Sequence, residues 1–214
     1  MKGQYHIKDY LSYSQFATFM QSPEAYRKIY IFGYKFSNKY TDFGSKIHKA
    51  LETRKAADRD EKIALDLISK VKAREVEITT KIGGVPLFGK IDGVKEGQQM
   101  LAEKKDYEII EYKTSKNGWT QKMVDTSDQL TFYAMMFAAS KKIPIEDILI
   151  RLRALRTFED IDGTLHLTGE KQSFKTARTQ ADVDKLVPKI QKAWRGIGEM
   201  LNEDLNGKPK VENK

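Results

Sequence analysis

Ile109-Ile110-Glu111-Tyr112-Lys113 is an apolar run carrying two opposite charges at alternate positions. Side chains of a strand alternate between its faces, so Glu111 and Lys113 emerge together while Ile110 and Tyr112 emerge on the other side. A carboxylate and an ammonium therefore stand side by side in a strand otherwise suited to a core. Glu-x-Lys recurs at Glu103 to Lys105, in a charged loop, and at Glu212 to Lys214, in a polar tail. Neither of those has the alternating apolar setting.

Upstream lies Phe88-Gly89-Lys90-Ile91-Asp92-Gly93, and a neighbouring strand in a meander would present Asp92 beside Glu111. Two facing carboxylates repel unless a cation lies between them, and oxygen ligands so placed suit Mg²⁺ or Mn²⁺. Such an ion lowers the pKa of a bound water and polarises a phosphodiester oxygen, while Lys113 would orient the nucleophile or neutralise charge growing on the phosphate. Asp92, Glu111 and Lys113 are accordingly the catalytic candidates, and Glu77, one strand earlier, is a further acidic one.

Outward from this centre, period-two segments at 75–81, 85–95 and 107–114 predict three strands. Gly83-Gly84 joins the first two and a charged turn around Glu96-Gly97 the next pair, giving an antiparallel meander. A helix over 125–142, a strand over 149–158, a turn at Ile161-Asp162-Gly163-Thr164, a short strand over 165–167 and a helix over 181–205 follow. On the N-terminal side, Ser12-Tyr13-Ser14-Gln15 has capping-box spacing and Ser22-Pro23 offers a second N-cap with Pro at the first helical position. Thr41-Asp42 caps a helix over 43–72, interrupted near Ala57-Asp58. These elements predict an α/β fold, a central mixed sheet flanked by helices, in a single domain over 1–205 with a polar, mobile tail over 206–214.

Composition narrows the function classes. Among 214 residues, 40% are hydrophobic and 32% charged, which fits a folded protein in water rather than a disordered or fibrous one. There is no cysteine, which excludes disulfides, thiol nucleophiles and iron–sulfur clusters together. The formal net charge of +8 favours a polyanionic partner. No apolar run is long enough for a membrane span and the start lacks the apolar stretch of a signal peptide, so a cytoplasmic protein is expected. With no Gly-rich phosphate loop, any motor would be a separate protein, such as a helicase.

Further residues join the candidates by spacing. His48 lies one helical turn after Gly44, whose missing side chain allows close approach, so its ring could reach a cleft. Gln129 and Tyr133 share a helical face. Arg151 and Arg153 alternate with apolar neighbours and share a strand face, as a row contacting phosphates would, or as a solvated face would. Tyr26, Arg27, Lys28 and Tyr30 make an aromatic and basic mixture suited to stacking on bases or to core packing.

Taken in order, Gly44 to His48, Gly89-Lys90-Ile91-Asp92, Glu111-Tyr112-Lys113 and Gln129 to Tyr133 resemble the PD-(D/E)xK nuclease superfamily, and within it the RecB-like exonuclease branch that includes the CRISPR adaptation nucleases. The resemblance covers about residues 11 to 137. It implies a restriction-endonuclease-like core and an Mg²⁺- or Mn²⁺-dependent deoxyribonuclease. DNA ends or single strands would be its partners, with a separate helicase or recombination protein in replication, recombination, repair or CRISPR adaptation. It implies that His48, Asp92, Glu111 and the carbonyl of Tyr112 hold the metal, that Lys113 assists attack, and that Gln129 and Tyr133 hold the DNA end or order the site. Many members of the branch bind an iron–sulfur cluster through cysteines near both ends of the domain. Here Ser22 stands in the place of the first of these, so the cluster is absent and packing alone must join the termini.

Overall fold

A six-stranded mixed sheet runs through the computed structural model, which describes residues 8–68, 74–96 and 106–206. In chain order the elements are β1 (Leu11–Ser12), α1 (Tyr13–Gln21), α2 (Pro23–Tyr26), a π-helical turn (Arg27–Ile31), α3 (Lys39–Thr53) and α4 (Arg59–Leu67). Next come β2 (Arg74–Ile82), β3 (Val85–Glu96), β4 (Tyr107–Ser115), α5 (Gln121–Asp125) and α6 (Asp128–Lys141). After a 3₁₀ turn (Ile145–Asp147), β5 (Ile148–Glu159), β6 (Leu165–Thr176) and α7 (Gln180–Asn206) complete the described chain. β2, β3 and β4 form the expected antiparallel meander. The crossover through α5 and α6 then lays β5 parallel to β4, because parallel neighbours need a long connection, and β6 returns antiparallel to β5.

The sheet is covered on both sides, and alternate residues of β4 belong to different cores. Ile109 packs with Ile150, Leu152 and Ala154 under α1, α6 and α7, with Phe132 and Phe137 of α6 fully buried. Ile110 and Tyr112 pack with Phe43, Ile47 and Leu51 of α3, Ala64 of α4, and Leu165 and Leu167 of β6. Each fully buried Leu, Ile or Phe in these layers contributes about 1.5–3 kcal/mol relative to exposure.

Several boundaries differ from the sequence expectation for local reasons. The 43–72 helix is two helices, broken where Arg54 takes a left-handed conformation (φ 55°) and Asp58 caps α4 through Glu61 N–H. The first of them starts earlier, because Asn38 rather than Thr41 is its N-cap. The 125–142 helix is α6, which starts three residues later because Ser127 caps it by accepting Leu130 N–H, and a short separate helix, α5, precedes it. β6 runs to Thr176, beyond the expected 167, because backbone pairing to β5 holds its largely exposed polar half in the sheet.

The terminal helices meet directly. A Cβ on Gly196 of α7 would lie 2.6 Å from Phe19 Cζ of α1, so the glycine makes room for the ring. Arg27 pairs with Glu203 at 3.3 Å and Asp204 at 3.2 Å. Expectations for the first residues, the end of the 43–72 helix, the turn at Glu96-Gly97, the Glu103 to Lys105 loop and the tail beyond 206 fall on residues outside the described ones.

A polar clip ties α4 to β6. Buried Asp60 accepts Leu167 N–H at 2.8 Å and faces His166 Nδ1 at 3.1 Å, while His166 Nε2 faces Asp160 at 3.2 Å. The hydrogen bond to Asp60, then that to Asp160, raises the His166 pKa above its ordinary value. A raised histidine pKa adds stability that is complete below the unfolded value and fades as pH climbs through the folded one. The Tm difference between the protein and His166→Gln is therefore expected to be larger at pH 6 than at pH 9. Equal differences would mean that the imidazole carries no charge here.

Candidate active site

β3 has β2 along one edge, and on the other it meets β1 at residues 87–88 and β4 at 93–96. The stretch 89–92 lies between those two pairings, so β3 and β4 part company at Asp92. In that split Asp92 Oδ2 accepts Tyr112 N–H at 2.8 Å, a side chain standing in for the ladder bond that the diverging strand no longer supplies. N–H and C=O of one strand residue point to the same edge, which also presents the Tyr112 carbonyl to the split.

A bulge sets the direction of Asp92. β2 and β3 pair at Arg74↔Val94 and at Val76↔Ile91, so the interval contains one more residue on β3 than on β2. The extra residue falls in Asp92-Gly93 and restores Ile91 and Val94 to the same core. A bulge interrupts strict alternation and re-aims the side chains at it, here turning a carboxylate into the split.

Among the side chains of this site Glu111 is the most removed from solvent, at 3% exposure. Its Oε1 accepts from Lys113 Nζ at 2.7 Å and from Gln129 Nε2 at 3.0 Å, whereas Oε2 is buried without a hydrogen-bond partner among the described residues. Burial pushes its pKa up to about 7; Lys113 opposes the shift and nearby Asp92 adds to it. An orphaned oxygen and a strained ionisation state at one carboxylate are what a missing positive charge would relieve.

His48 reaches the split from α3. Its Nδ1 stands 3.4 Å from Asp92 Oδ1. Burial, the largest single influence, disfavours the imidazolium, but the bond to Asp92 and the negative charges of Asp92 and Glu111 together outweigh it and the pKa rises. Gly44, one turn earlier, lets α3 approach β4: a Cβ there would lie 3.3 Å from Thr114 Oγ1. From α6, Gln129 donates both to Glu111 and, at 3.3 Å, to the hydroxyl of Tyr133. Burial raises the Tyr133 pKa, with Glu111 adding to it, so this phenol stays protonated.

His48, Asp92, Glu111, Lys113, Gln129, Tyr133 and the Tyr112 backbone thus converge. Arg151 and Arg153 do not, because β5 residues at those positions lie beside Ile110 and Tyr112 and so share the sheet face opposite Glu111. Arg151 is bonded to buried Glu108, which also takes Lys95 at 2.8 Å. Glu77 is exposed, across from Lys90. Arg27 is occupied at the α7 end, and Tyr26 is buried with Tyr30 packed beside it. One residue that sequence reasoning passed over is Tyr13, whose ring centroid lies 6.3 Å from that of Tyr133 and whose pKa is raised by burial, then by Asp128 and Glu111. Its only signal was its place inside the first capping box.

The sequence model of the PD-(D/E)XK nuclease superfamily matches residues 55–210. That span takes in Asp92, Glu111, Lys113, Gln129 and Tyr133. A solved structure titled "Crystal structure of SSO0001" is 12% identical, with 88% of this chain and 77% of that one covered at a TM-score of 0.48. No curated protein matches the chain.

Proposed function

This chain belongs to the PD-(D/E)XK nuclease superfamily, and from that premise we propose that it is a divalent-metal-dependent deoxyribonuclease that works from DNA ends or on single-stranded segments. The observation that carries the reading is the convergence of Asp92, Glu111 and Lys113 in the β3–β4 split, with one buried Glu111 oxygen left unpartnered. Four motifs in the order of the RecB-like branch favour exonuclease over endonuclease action. A helicase or recombination protein acting beside it is part of the same proposal.

The donor set fits a hard cation: two carboxylates, the Tyr112 carbonyl and the His48 imidazole. Among the described residues no three His, Asp or Glu side chains make a closed cage, and Mg²⁺ typically takes only one or two carboxylates, leaving room for water and phosphate oxygens. When bound, Mg²⁺ or Mn²⁺ supplies the Lewis acidity that activates water and offsets phosphoryl charge. The chain's own groups do the rest. Lys113, tethered to Glu111, brings its side-chain amino group where a phosphate would enter. Gln129 fixes the Glu111 carboxylate, and His48 and Tyr112 N–H fix Asp92. Tyr133, protonated and bonded to Gln129, keeps that amide aligned.

The raised Glu111 pKa gives a metal-linked expectation. A carboxyl held near 7 must lose its proton to accept a cation, so metal affinity should fall about tenfold per pH unit below that value. The Tm rise caused by Mn²⁺ is expected to be much smaller at pH 6 than at pH 8 and absent in Glu111→Gln. A Mn²⁺ shift of equal size at both pH values would remove Glu111 from the metal site.

The mode of action is tested by incubating the protein with end-labelled linear and closed circular DNA, single- and double-stranded, with Mg²⁺, Mn²⁺ or EDTA. Degradation of linear substrates with intact circles is expected. Cut circles would replace the exonuclease reading with an endonuclease one, and no cleavage of any substrate would overturn the proposal.

A further inference from the structure

Beside the split, a cavity of about 300 Å³ opens between the N-terminal segment, β3 and α6. Gln129 and Tyr133 line it and also bond to one another, with Gln129 reaching Glu111, so the cavity adjoins the candidate active site through these two side chains. Five aromatic rings, Tyr10, Tyr13, Tyr30, Phe88 and Tyr133, line it among polar and basic side chains. Tyr10 and Phe88 pack with ring centroids 4.9 Å apart, and Tyr13 lies against Tyr133. All five rings are only partly buried. Gly89 lies on the β3 side, where a Cβ would meet Met136 Sδ at 3.1 Å, so the glycine lets α6 pack close beside the cavity. At the rim, Lys8 Nζ donates to the Tyr10 hydroxyl at 2.8 Å and brings an exposed positive charge.

We propose that this cavity seats one unpaired nucleobase of the strand being cut, making single-stranded DNA, or a frayed end, the substrate form that the site takes. The inference rests on the nuclease reading above and deepens it. The volume is at the low end for small-ligand sites, enough for a nucleoside-sized group and too little for a base pair with both backbones. Aromatic faces stack on any base, so the seat selects unpaired against paired nucleotides without selecting sequence. The adjoining lysine suits a flanking phosphate.

The test is binding, in EDTA, of a single-stranded oligonucleotide with 2-aminopurine at its end, compared with a blunt duplex. Fluorescence quenching by the unaltered protein is expected. The double variant Tyr10→Leu/Phe88→Leu keeps apolar bulk but removes both rings; it should abolish the quench and weaken single-strand binding about tenfold, leaving duplex affinity unchanged. Phe88→Trp should retain the quench. A double variant that is folded by circular dichroism and quenches as the parent does, or that loses single-strand and duplex binding by the same factor, would overturn the seat. A parent that cuts DNA with metal yet gives no quench would overturn the seat alone. A parent that neither binds nor cuts DNA would overturn the nuclease reading with it.

Discussion

Asp92→Asn is expected to lower DNA cleavage on the order of 10³-fold while leaving the metal-free protein about as stable as before. The two effects separate because Asp92 has two roles with different chemistry. As acceptor of Tyr112 N–H it bridges the parting strands, and an asparagine Oδ1 can still do that. As a charge it faces buried Glu111 and helps to raise the Glu111 pKa, which is repulsion that the fold carries without a cation. Removing the charge relieves the repulsion and gives up the partly exposed pairing with His48, which is worth about 0–1 kcal/mol. In EDTA the Tm should therefore stay within about 3 °C of the parent. With Mn²⁺ the parent should gain stability and the variant should not. A variant that loses activity only in proportion to a collapsed Tm would make Asp92 a structural residue.

Arg178→Met is expected to destabilise the protein by on the order of 3 kcal/mol, a Tm drop of roughly 10 °C. Arg178 is 3% exposed and sits just before α7. Its Nε donates to Thr131 Oγ1 at 2.7 Å, one terminal nitrogen to Val124 and Ser127 carbonyls at 2.7 and 3.4 Å, and the other to Thr176 Oγ1 and the Ala177 carbonyl, both at 2.8 Å. Val124 and Ser127 bracket the break between α5 and α6, where the Val124 carbonyl also takes Ser127 N–H at 3.4 Å and the Ser127 carbonyl also takes Thr131 N–H at 3.2 Å. One guanidinium bonds to both carbonyls and to Thr131, tying the two helices across the break. Methionine fills the volume but removes all five charge-assisted bonds at this corner, and lysine cannot span the same fork. Because α6 carries Gln129 at its N-terminal turn, DNA cleavage at a temperature where the variant is still folded should also fall. Rescue of the Tm by Arg178→Lys would show that charge, rather than the fork, holds the corner.

The geometry of the candidate-site strand was legible because its information is local. Alternation alone puts Glu111 and Lys113 on one face, and the structure joins them by a 2.7 Å contact. Asp92 was legible as a residue but not as a geometry. Its aim depends on a bulge fixed by the register of β2 against β3, and nothing in Ile91-Asp92-Gly93 by itself states that register. The same limit explains Arg151 and Arg153. Alternation correctly puts them on a common face, but which face is decided by β5 pairing in parallel with β4, a contact formed across the intervening helices. β6 was read as too short because its second half is an exposed, charged edge, stabilised by backbone pairing rather than by apolar periodicity. Arg178 gave no signal at all, since its five bonds reach residues from 124 to 177 that only the folded chain brings near.

At the ends of the described chain, Phe19 sits over Gly196 and Arg27 pairs with Glu203 and Asp204. Packing and surface charge pairing do the joining there.

The most direct test of the site is a time course of cleavage of end-labelled single-stranded DNA by the parent and by Lys113→Met, each with Mn²⁺, Mg²⁺ and EDTA. Lys113 is about one quarter exposed, and Glu111, its pKa already raised, can take up a proton when that partner is lost, so the fold should survive while the charge that would face a phosphate is removed. The expected result is metal-dependent cleavage by the parent, none in EDTA, and a loss on the order of 10³-fold in the variant. Cleavage by the parent in EDTA, or equal rates for the two proteins, would contradict a metal-dependent active site built on Asp92, Glu111 and Lys113.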